Sequence, residues 1–360
     1  VGNQSIGDNA RFGLYEARYG PNQNVYYPDF FNIYYNVGTS YDLNGNNTGN
    51  LPSGFVSIQA ANSGLKWETT KEINVGLDFG FFGDKLSGSF DYFSRNTEGI
   101  LIVPPVASAV GEGQQRFVNG ASTANKGWEL TVGYAETLSN GLYFNVTTNF
   151  GATKNKITDL PEEVRAAYPG TAANSIIGHS QFEIFGYKTD GLFQSQEDID
   201  SHATQIASRL GGIKYIDINS DGVINSDDRT FIGSTLPKLE YGINISLAYK
   251  NIDFSVFGSG VAGRIGQDPY IYWNNFVQGR ENAGPGTLNA WTPTNTNTDV
   301  PSLSLANNDN KVSDYLFRNN SYFKVRNMQI GYSFSDKLVE KSGFITSCRV
   351  YAQGENLFWV

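Results

Sequence analysis

Gly127-Trp128-Glu129-Leu130-Thr131-Val132-Gly133-Tyr134 and, after a short turn, Leu142-Tyr143-Phe144-Asn145-Val146-Thr147-Thr148-Asn149-Phe150 form the stretch whose reading decides the fold. Trp128, Leu130, Val132 and Tyr134 alternate with Glu129, Thr131 and Gly133. Beyond Ser139-Asn140-Gly141, Leu142, Phe144, Val146 and Phe150 face one way, and Asn145, Thr147 and Asn149 the other. Successive strand side chains point to opposite faces, so this is a hairpin with one apolar and one polar face. Asn140-Gly141 is expected to supply the positive φ angles of a tight turn. The polar face carries amides, hydroxyls and glycine, with few lysines or arginines. Large aromatics cap the ends of the apolar face. A soluble sheet buries such an apolar face, whereas a membrane barrel turns it to lipid and keeps the polar face around a lumen.

Composition narrows the choice. The chain has 360 residues, of which 17% are charged, below the usual quarter for soluble domains. Its 40 glycines, 45 Tyr and Phe residues (21 and 24) and single methionine suit β-structure better than a helical bundle. No apolar run approaches the ~20 residues of a transmembrane helix, which leaves a soluble all-β protein or a membrane barrel. The net charge of -9 argues against a nucleic-acid partner, which would call for a basic surface. The one cysteine, Cys348, excludes an internal disulfide and reads as a small residue facing lipid or core. The chain starts at Val1 without a leader and reads as an internal or processed piece.

In chain order, fragments of alternation over Phe12 to Tyr19 and Asn32 to Tyr35 predict one or two strands, then a polar loop through Asn44 to Asn50. Clear strands follow. Ile73 to Phe81 turns at Phe82 to Lys85 into Leu86 to Tyr92, which runs on toward Leu101. A Gly/Gln loop over Gly111 to Gln115 leads into the opening hairpin. Residues 155–185 read as loop with a helical turn at Pro161 to Ala167. Ser195-Gln196-Glu197-Asp198 fits a capping box for a short helix carrying Ile199, Ala203, Ile206 and Leu210, ended by Gly211-Gly212. Further strands are expected over Tyr241 to Tyr249, Ile252 to Val256, Tyr322 to Phe334 and Cys348 to Phe358.

The connections alternate in length. Those near 83–85, 139–141, 250–251 and 335–344 are short; those near 103–116, 155–185, 190–238 and 263–312 are long. In an up-and-down antiparallel barrel alternate connections share an end, so one end collects short turns and the other long loops. Outer-membrane barrels sort their loops this way, with the long ones extracellular. Amphipathic strands, low charge, aromatic strand ends and this asymmetry favour the membrane barrel.

Several stretches resemble the SusC/RagA-like TonB-dependent outer-membrane transporters. They are Gly2 to Gly7 (GNQSIG), Leu65 to Thr70 (LKWETT) leading to Asn74 to Asp78 (NVGLD), and Asn125 to Leu130 (NKGWEL). Thr189 to Phe193 (TDGLF), Asp217 to Asp228 followed by Ile232-Gly233, Leu288 to Pro293 (LNAWTP) and Gly354 to Phe358 (GENLF) continue the series in order. The resemblance implies an all-β, transmembrane antiparallel barrel whose lumen a plug fills, of the 22-stranded class. It also implies TonB-driven import of oligosaccharides or peptides with a SusD-like surface lipoprotein, in transporter–lipoprotein pairs that can dimerise. Residues 1–360 lack the family's N-terminal extension, TonB-contacting segment and plug, and are expected to supply ten to twelve strands, about half the barrel. The alternative reading is a secreted, calcium-stabilised β-sandwich adhesin or carbohydrate-binding module.

The chemical motif in the 190–238 loop is Asp217-Ile218-Asn219-Ser220-Asp221-Gly222-Val223-Ile224-Asn225-Ser226-Asp227-Asp228. It matches the EF-hand loop: oxygen ligands at positions 1, 3, 5, 9 and 12, a backbone carbonyl at 7, and glycine at 6 for the sharp turn. Asp217, Asn219, Asp221, Val223, Asn225 and Asp228 are therefore the expected ligands of a structural Ca²⁺, with Asp in place of the usual position-12 Glu. No catalytic constellation is expected. His179 and His202 lack partners at ligand spacing, and the carboxylate pairs Glu162-Glu163 and Asp227-Asp228 read as solvated or metal-binding. Tyr270, Tyr272, Trp273 and Phe276 are expected on the extracellular side, stacking on sugars, meeting a partner or packing on other loops.

Overall fold

The structure, a computed structural model, describes residues 64–103, 117–167, 176–271, 284–304, 309–335 and 343–360, with Asn62, Asn275, Phe276 and Val339. It adds the backbones of three strands, β1 (Leu14–Ala17), β2 (Ile33–Ser40) and β3 (Ser53–Gln59). The Gly2 to Gly7 motif, the Asn44 to Asn50 and Gly111 to Gln115 loops, and Tyr272 and Trp273 lie outside the described residues.

The main sheet is built from β1, β4 (Glu68–Phe81), β5 (Leu86–Ile102), β6 (Val118–Thr137), β7 (Leu142–Asp159), β12 (Leu239–Tyr249), β13 (Ile252–Ala262), β16 (Tyr322–Ser333) and β17 (Arg349–Trp359), paired in that order. Every pairing is antiparallel. Among the described residues this sheet has nine strands, and β2 and β3 pair with each other. Register ties the faces together. Val75 opposes Tyr92, Tyr92 opposes Trp128, Leu130 opposes Phe150, Phe150 opposes Tyr241, and Phe254 opposes Ile330. Directly opposed residues share a face, so one continuous apolar face runs across the sheet. It stays open: Ile73, Val75, Leu77, Phe81, Ile252, Ile330 and Val350 are all more than half or about half exposed. The other face carries Asn74, Ser89, Thr131, Asn149, Asn244 and Gln329.

The short connections cluster at one end. Phe82, Gly83 and Asp84 all take positive φ in the β4–β5 turn. In the β6–β7 turn only Gly141 does, at φ 84, while Asn140 accepts the Leu142 N–H with its side chain. The loop has three residues rather than two, so a single left-handed position suffices, supplied by the glycine. At the opposite end the connections 103–117, 160–238 and 263–321 are long. Here the structure departs from expectation. β6 begins at Val118 and β7 continues to Asp159, so the strands project past the alternating zone, where Ala121 and Ile157 pack with Leu160 and Val164. The helical turn forms as α1 (Glu162–Ala167), with Arg165 N–H bonded to the Pro161 carbonyl.

The long connections carry small ladders of their own: β8 (Glu183–Gly186) with β11 (Thr230–Ser234), β9 (Thr189–Leu192) with β10 (Ile213–Tyr215), and β14 (Ile265–Gln267) with β15 (Phe317–Asn319). Ser195 caps α2 (Gln196–Ser201), accepting from Asp198 N–H, while the Asp198 carboxylate accepts from Gln194 N–H in place of Ser195, so half of the expected capping box forms. The helix stops at Ser201 instead of reaching Leu210. Thr204 turns away to bridge the Asp217–Asp228 loop, donating to Gly222 and accepting from Ile224. The Gln205 side chain then bonds Ile213 and Tyr215 backbone groups.

Candidate functional site

The loops at the long-connection end form a packed unit. Leu192, Ile213, Tyr215, Ile224, Ile271, Phe276, Trp291 and Leu316 make one buried cluster drawn from segments more than 100 positions apart. Phe276, expected to be an exposed aromatic, is buried and lies 5.9 Å from the Tyr315 ring; of that group only Tyr270 is exposed among the described residues. Trp291 is buried and its indole N–H donates to Gln194. Polar ties reinforce the packing. Asp314 accepts from both the backbone N–H and the hydroxyl of Thr189, and Arg209 pairs with the buried Asp309. Lys311 Nζ lies 5.1 Å and 5.0 Å from the Tyr187 and Tyr215 rings, and burial lowers its pKa.

A cavity of about 520 Å³ opens in this unit, lined by Thr189, Gln194, Asn289, Thr298, Asp299 and Tyr315 among others. Burial pushes the Tyr315 phenol up to about 12, so its hydroxyl stays protonated and able to donate. The lining is rich in amides and hydroxyls, with the carboxylate of Asp299 its one charged group.

The Asp217–Asp228 loop takes the tight form its spacing demands. Ser220 and Gly222 have φ 59 and 82. The Asp217 carboxylate accepts from Asp221 and Gly222 N–H at 3.3 and 2.9 Å, and Asp221 accepts from Val223 N–H at 2.9 Å. The side-chain amides of Asn219 and Asn225 reach Asp221 at 2.9 and 3.5 Å. The Val223 N–H, then the Asn219 amide, hold the Asp221 carboxyl below the usual carboxylate range. Asp228 is fully buried, and its two oxygens accept from Ile218 and Asn225 N–H at 3.0 and 2.8 Å. Four of the six expected ligands, Asp217, Asn219, Asp221 and Asn225, therefore meet around Asp221. The Val223 carbonyl is 3.4 Å from the Asn225 amide, while Asp228 serves the backbone. Among the described residues no three His, Cys, Asp or Glu side chains gather as a metal-holding group.

The remaining titratable groups are structurally engaged. His179 Nδ1 is 2.6 Å from Glu183, and its ring stacks on Phe231 at 3.5 Å. His202 lies edge-on to Phe193. Asp227 is exposed while Asp228 is buried, so these neighbours do not face one another as a carboxylate pair. Glu162 opens α1, and the Glu163 side chain is outside the described residues. Cys348 is exposed.

One apolar face left open over nine strands, a polar opposite face, and loops sorted by length fit a barrel wall. The family model "TonB dependent receptor-like, beta-barrel" matches residues 7–357. The chain belongs to that family.

A TonB-dependent receptor-like barrel places its apolar face against the lipid of the outer membrane and its long loops outside the cell. This overturns the secreted β-sandwich. The chain is 30% identical over 315 residues to the TonB-dependent receptor P3 of Formosa agariphila, covering 85% of this chain and 31% of that protein. It is 26% identical to the TonB-dependent receptor SusC of Bacteroides thetaiotaomicron, covering 83% and 29%. Its fold superposes on a structure of the RagAB peptide transporter with a TM-score of 0.72 at 20% identity, covering 96% of this chain and 36% of that one. The chain spans about a third of the length of the curated relatives it matches. The Arg209–Asp309 tie and the buried Trp291 were not foreseen; neither leaves a local signal, since each partner lies about a hundred positions away.

Proposed function

We propose that this barrel segment belongs to an importer of oligomeric nutrients, glycans or peptides, driven through TonB and working with a SusD-like surface lipoprotein. The observation that carries the reading is the packed extracellular loop unit with its amide- and hydroxyl-lined cavity, at the end of a TonB-dependent receptor-like barrel. Such a lining exchanges hydrogen bonds with sugar hydroxyls or peptide groups without demanding charge. The relatives support the same class: one is SusC, and a structural neighbour is a peptide transporter. Deleting the gene in its host and following uptake of labelled oligosaccharides and oligopeptides tests the reading. Uptake of one class should vanish on deletion, return with the full-length protein, and fail when the proton-motive force is dissipated. Unchanged uptake of both classes would refute it. Co-purification of a surface lipoprotein with the full-length protein tests the partnership.

The Asp217–Asp228 loop is read as a structural Ca²⁺ site of the extracellular unit. Its donor chemistry fits a hard cation: two carboxylates, two side-chain amide groups and a backbone carbonyl gather within hydrogen-bond reach. The amide oxygens of Asn219 and Asn225 already accept from Asp221 and Asp227 N–H at 3.1 and 2.7 Å, so turning either toward a cation beside Asp221 gives up that bond. Asp228 would join only by sharing oxygens already bonded to Ile218 and Asn225, which favours modest affinity.

A further inference from the structure

A cluster of lysines stands at the upper rim of the lipid-facing surface. On β12 the outward side chains are apolar from Leu239 to Tyr249. At ~3.4 Å per residue and a tilt of ~40°, that run spans about 26 Å along the membrane normal, close to the ~25 Å apolar band of such barrels. Lys238 follows immediately above it. On β7 the outward series Phe144, Val146, Thr148, Phe150, Ala152 gives way to Lys154 and Lys156, and on β6 Trp128 gives way to Lys126. All four lysines are exposed.

Their arrangement is unfavourable for a protein on its own. Lys126 and Lys154 are directly opposed in register, a like-charge pair that destabilises a sheet. Among the described residues none of the four lysines has an ion-pair partner. Lys154, Lys156 and Lys238 line one cavity of about 520 Å³, in the gap where β7 and β12 part above Gly151 and Glu240. The cavity has an apolar side, formed by Trp128, Ala152, Leu236 and Pro237. Its one acidic lining residue, Glu183, is engaged with His179 at 2.6 Å.

We propose that this cavity binds the phosphorylated headgroup of a lipid of the outer leaflet. The lysine ammoniums meet its phosphate, and the apolar side continues the lipid-facing surface for the first part of its acyl chains. Position, charge and continuity with the apolar band each point to the same ligand. Phosphate oxygens relieve the Lys126–Lys154 repulsion through charge-assisted hydrogen bonds. The inference rests on the outer-membrane placement of the barrel and not on the nutrient it carries.

The test uses the full-length protein in bilayer discs of phosphatidylcholine doped with phosphorylated lipid A or with the same lipid stripped of phosphate. Lipid retained after detergent extraction is counted by native mass spectrometry. The parent protein should retain the phosphorylated form, and a variant carrying K126Q, K154Q, K156Q and K238Q should retain it about tenfold less, the equivalent of about 1.4 kcal/mol. Excess inorganic phosphate should not displace it. Equal retention by the variant, no preference for the phosphorylated form, or displacement by inorganic phosphate alone would each overturn the proposal. Heat-modifiable migration reports whether the variant folds; if it does not, the K154Q/K238Q pair is read in its place. Nutrient uptake, measured in parallel, fails or persists independently of lipid retention, so the transport reading and this one can be broken separately.

Discussion

Arg209 Nη2 donates to Asp309 Oδ2 at 2.5 Å across 100 positions of sequence, with the Asp309 side chain almost wholly buried. Asp309 also accepts the backbone N–H of Ile213, and Arg209 reaches the Ser302 carbonyl, so the pair joins the 190–238 loop to the 263–321 connection. A buried pair contributes little over an apolar replacement, but removing one member strands the other. Asp309→Ala should therefore destabilise the loop unit by about 3–5 kcal/mol. Limited proteolysis of intact cells should then cut near residues 202–212 while the barrel remains heat-modifiable. Wild-type protease resistance in the variant would show that the loops are held elsewhere.

Calcium should order the Asp217–Asp228 loop. Asp217 and Asp221 bring two carboxylates into one exposed turn, where a cation between them offsets their repulsion. With affinity at roughly 10⁻⁴–10⁻³ M, as in extracellular modules, the site fills outside the cell and stabilises the folded loop by mass action. Chelation, or Asp217→Ala with Asp221→Ala, should make 190–238 protease-sensitive and leave the barrel folded. Acid should mimic chelation. The folded pKa of Asp221 is depressed, so its contribution is present above the unfolded value of 3.8 and lost as pH falls below it. Unchanged cleavage with no calcium in the purified protein would make this an ordinary turn.

The sequence revealed strands where membrane and lumen impose opposite polarities, and grew silent beyond them. Ile73 to Phe81 and Tyr241 to Tyr249 alternate because lipid selects every second side chain. Above the band, Asn119 to Asn125 of β6 and Thr153 to Asp159 of β7 mix polar residues with Ala121 and Ile157, which pack with Leu160 and Val164, so no regular period marked them as strand. The tight turn over Asp217–Asp228 was legible because its hydrogen bonds are local. Arg209–Asp309 could not be read, since it depends on packing between distant segments; the Lys126–Lys154 opposition lies in the opening hairpin, but beyond the part that alternates. The capping signal at Ser195 was sound. The helix length was not, because Thr204 and Gln205 are claimed by tertiary hydrogen bonds.

Orientation can be checked directly. Leu288 is 91% exposed in a long connection, and Asn140 lies in the short β6–β7 turn. An epitope inserted at Leu288 in the full-length protein should bind antibody on intact cells. One inserted at Asn140 should bind only after the outer membrane is permeabilised. The reverse pattern would invert the barrel and remove the lysine rim from the outer leaflet.

The sheet's two edges lead to the last expectation. Among the described residues β1 and β17 each pair on one side only, with β4 and β16. The outer backbone of β17 over Arg349–Trp359 therefore presents unpaired N–H and C=O groups, flanked by the exposed Val350, Tyr351, Phe358 and Trp359. In lipid each unsatisfied backbone group costs several kcal/mol, and an open apolar edge is a template for pairing with another chain. Closure needs strands from elsewhere in a protein of the relatives' length, of which this chain spans about a third. Residues 1–360 expressed alone and refolded in detergent should therefore elute as aggregates and show no heat-modifiable band. The full-length protein refolded alongside should give a monodisperse, heat-modifiable barrel. A monodisperse, heat-modifiable species from 1–360 alone would mean that β1 and β17 find each other, and that the nine strands close a small barrel by themselves.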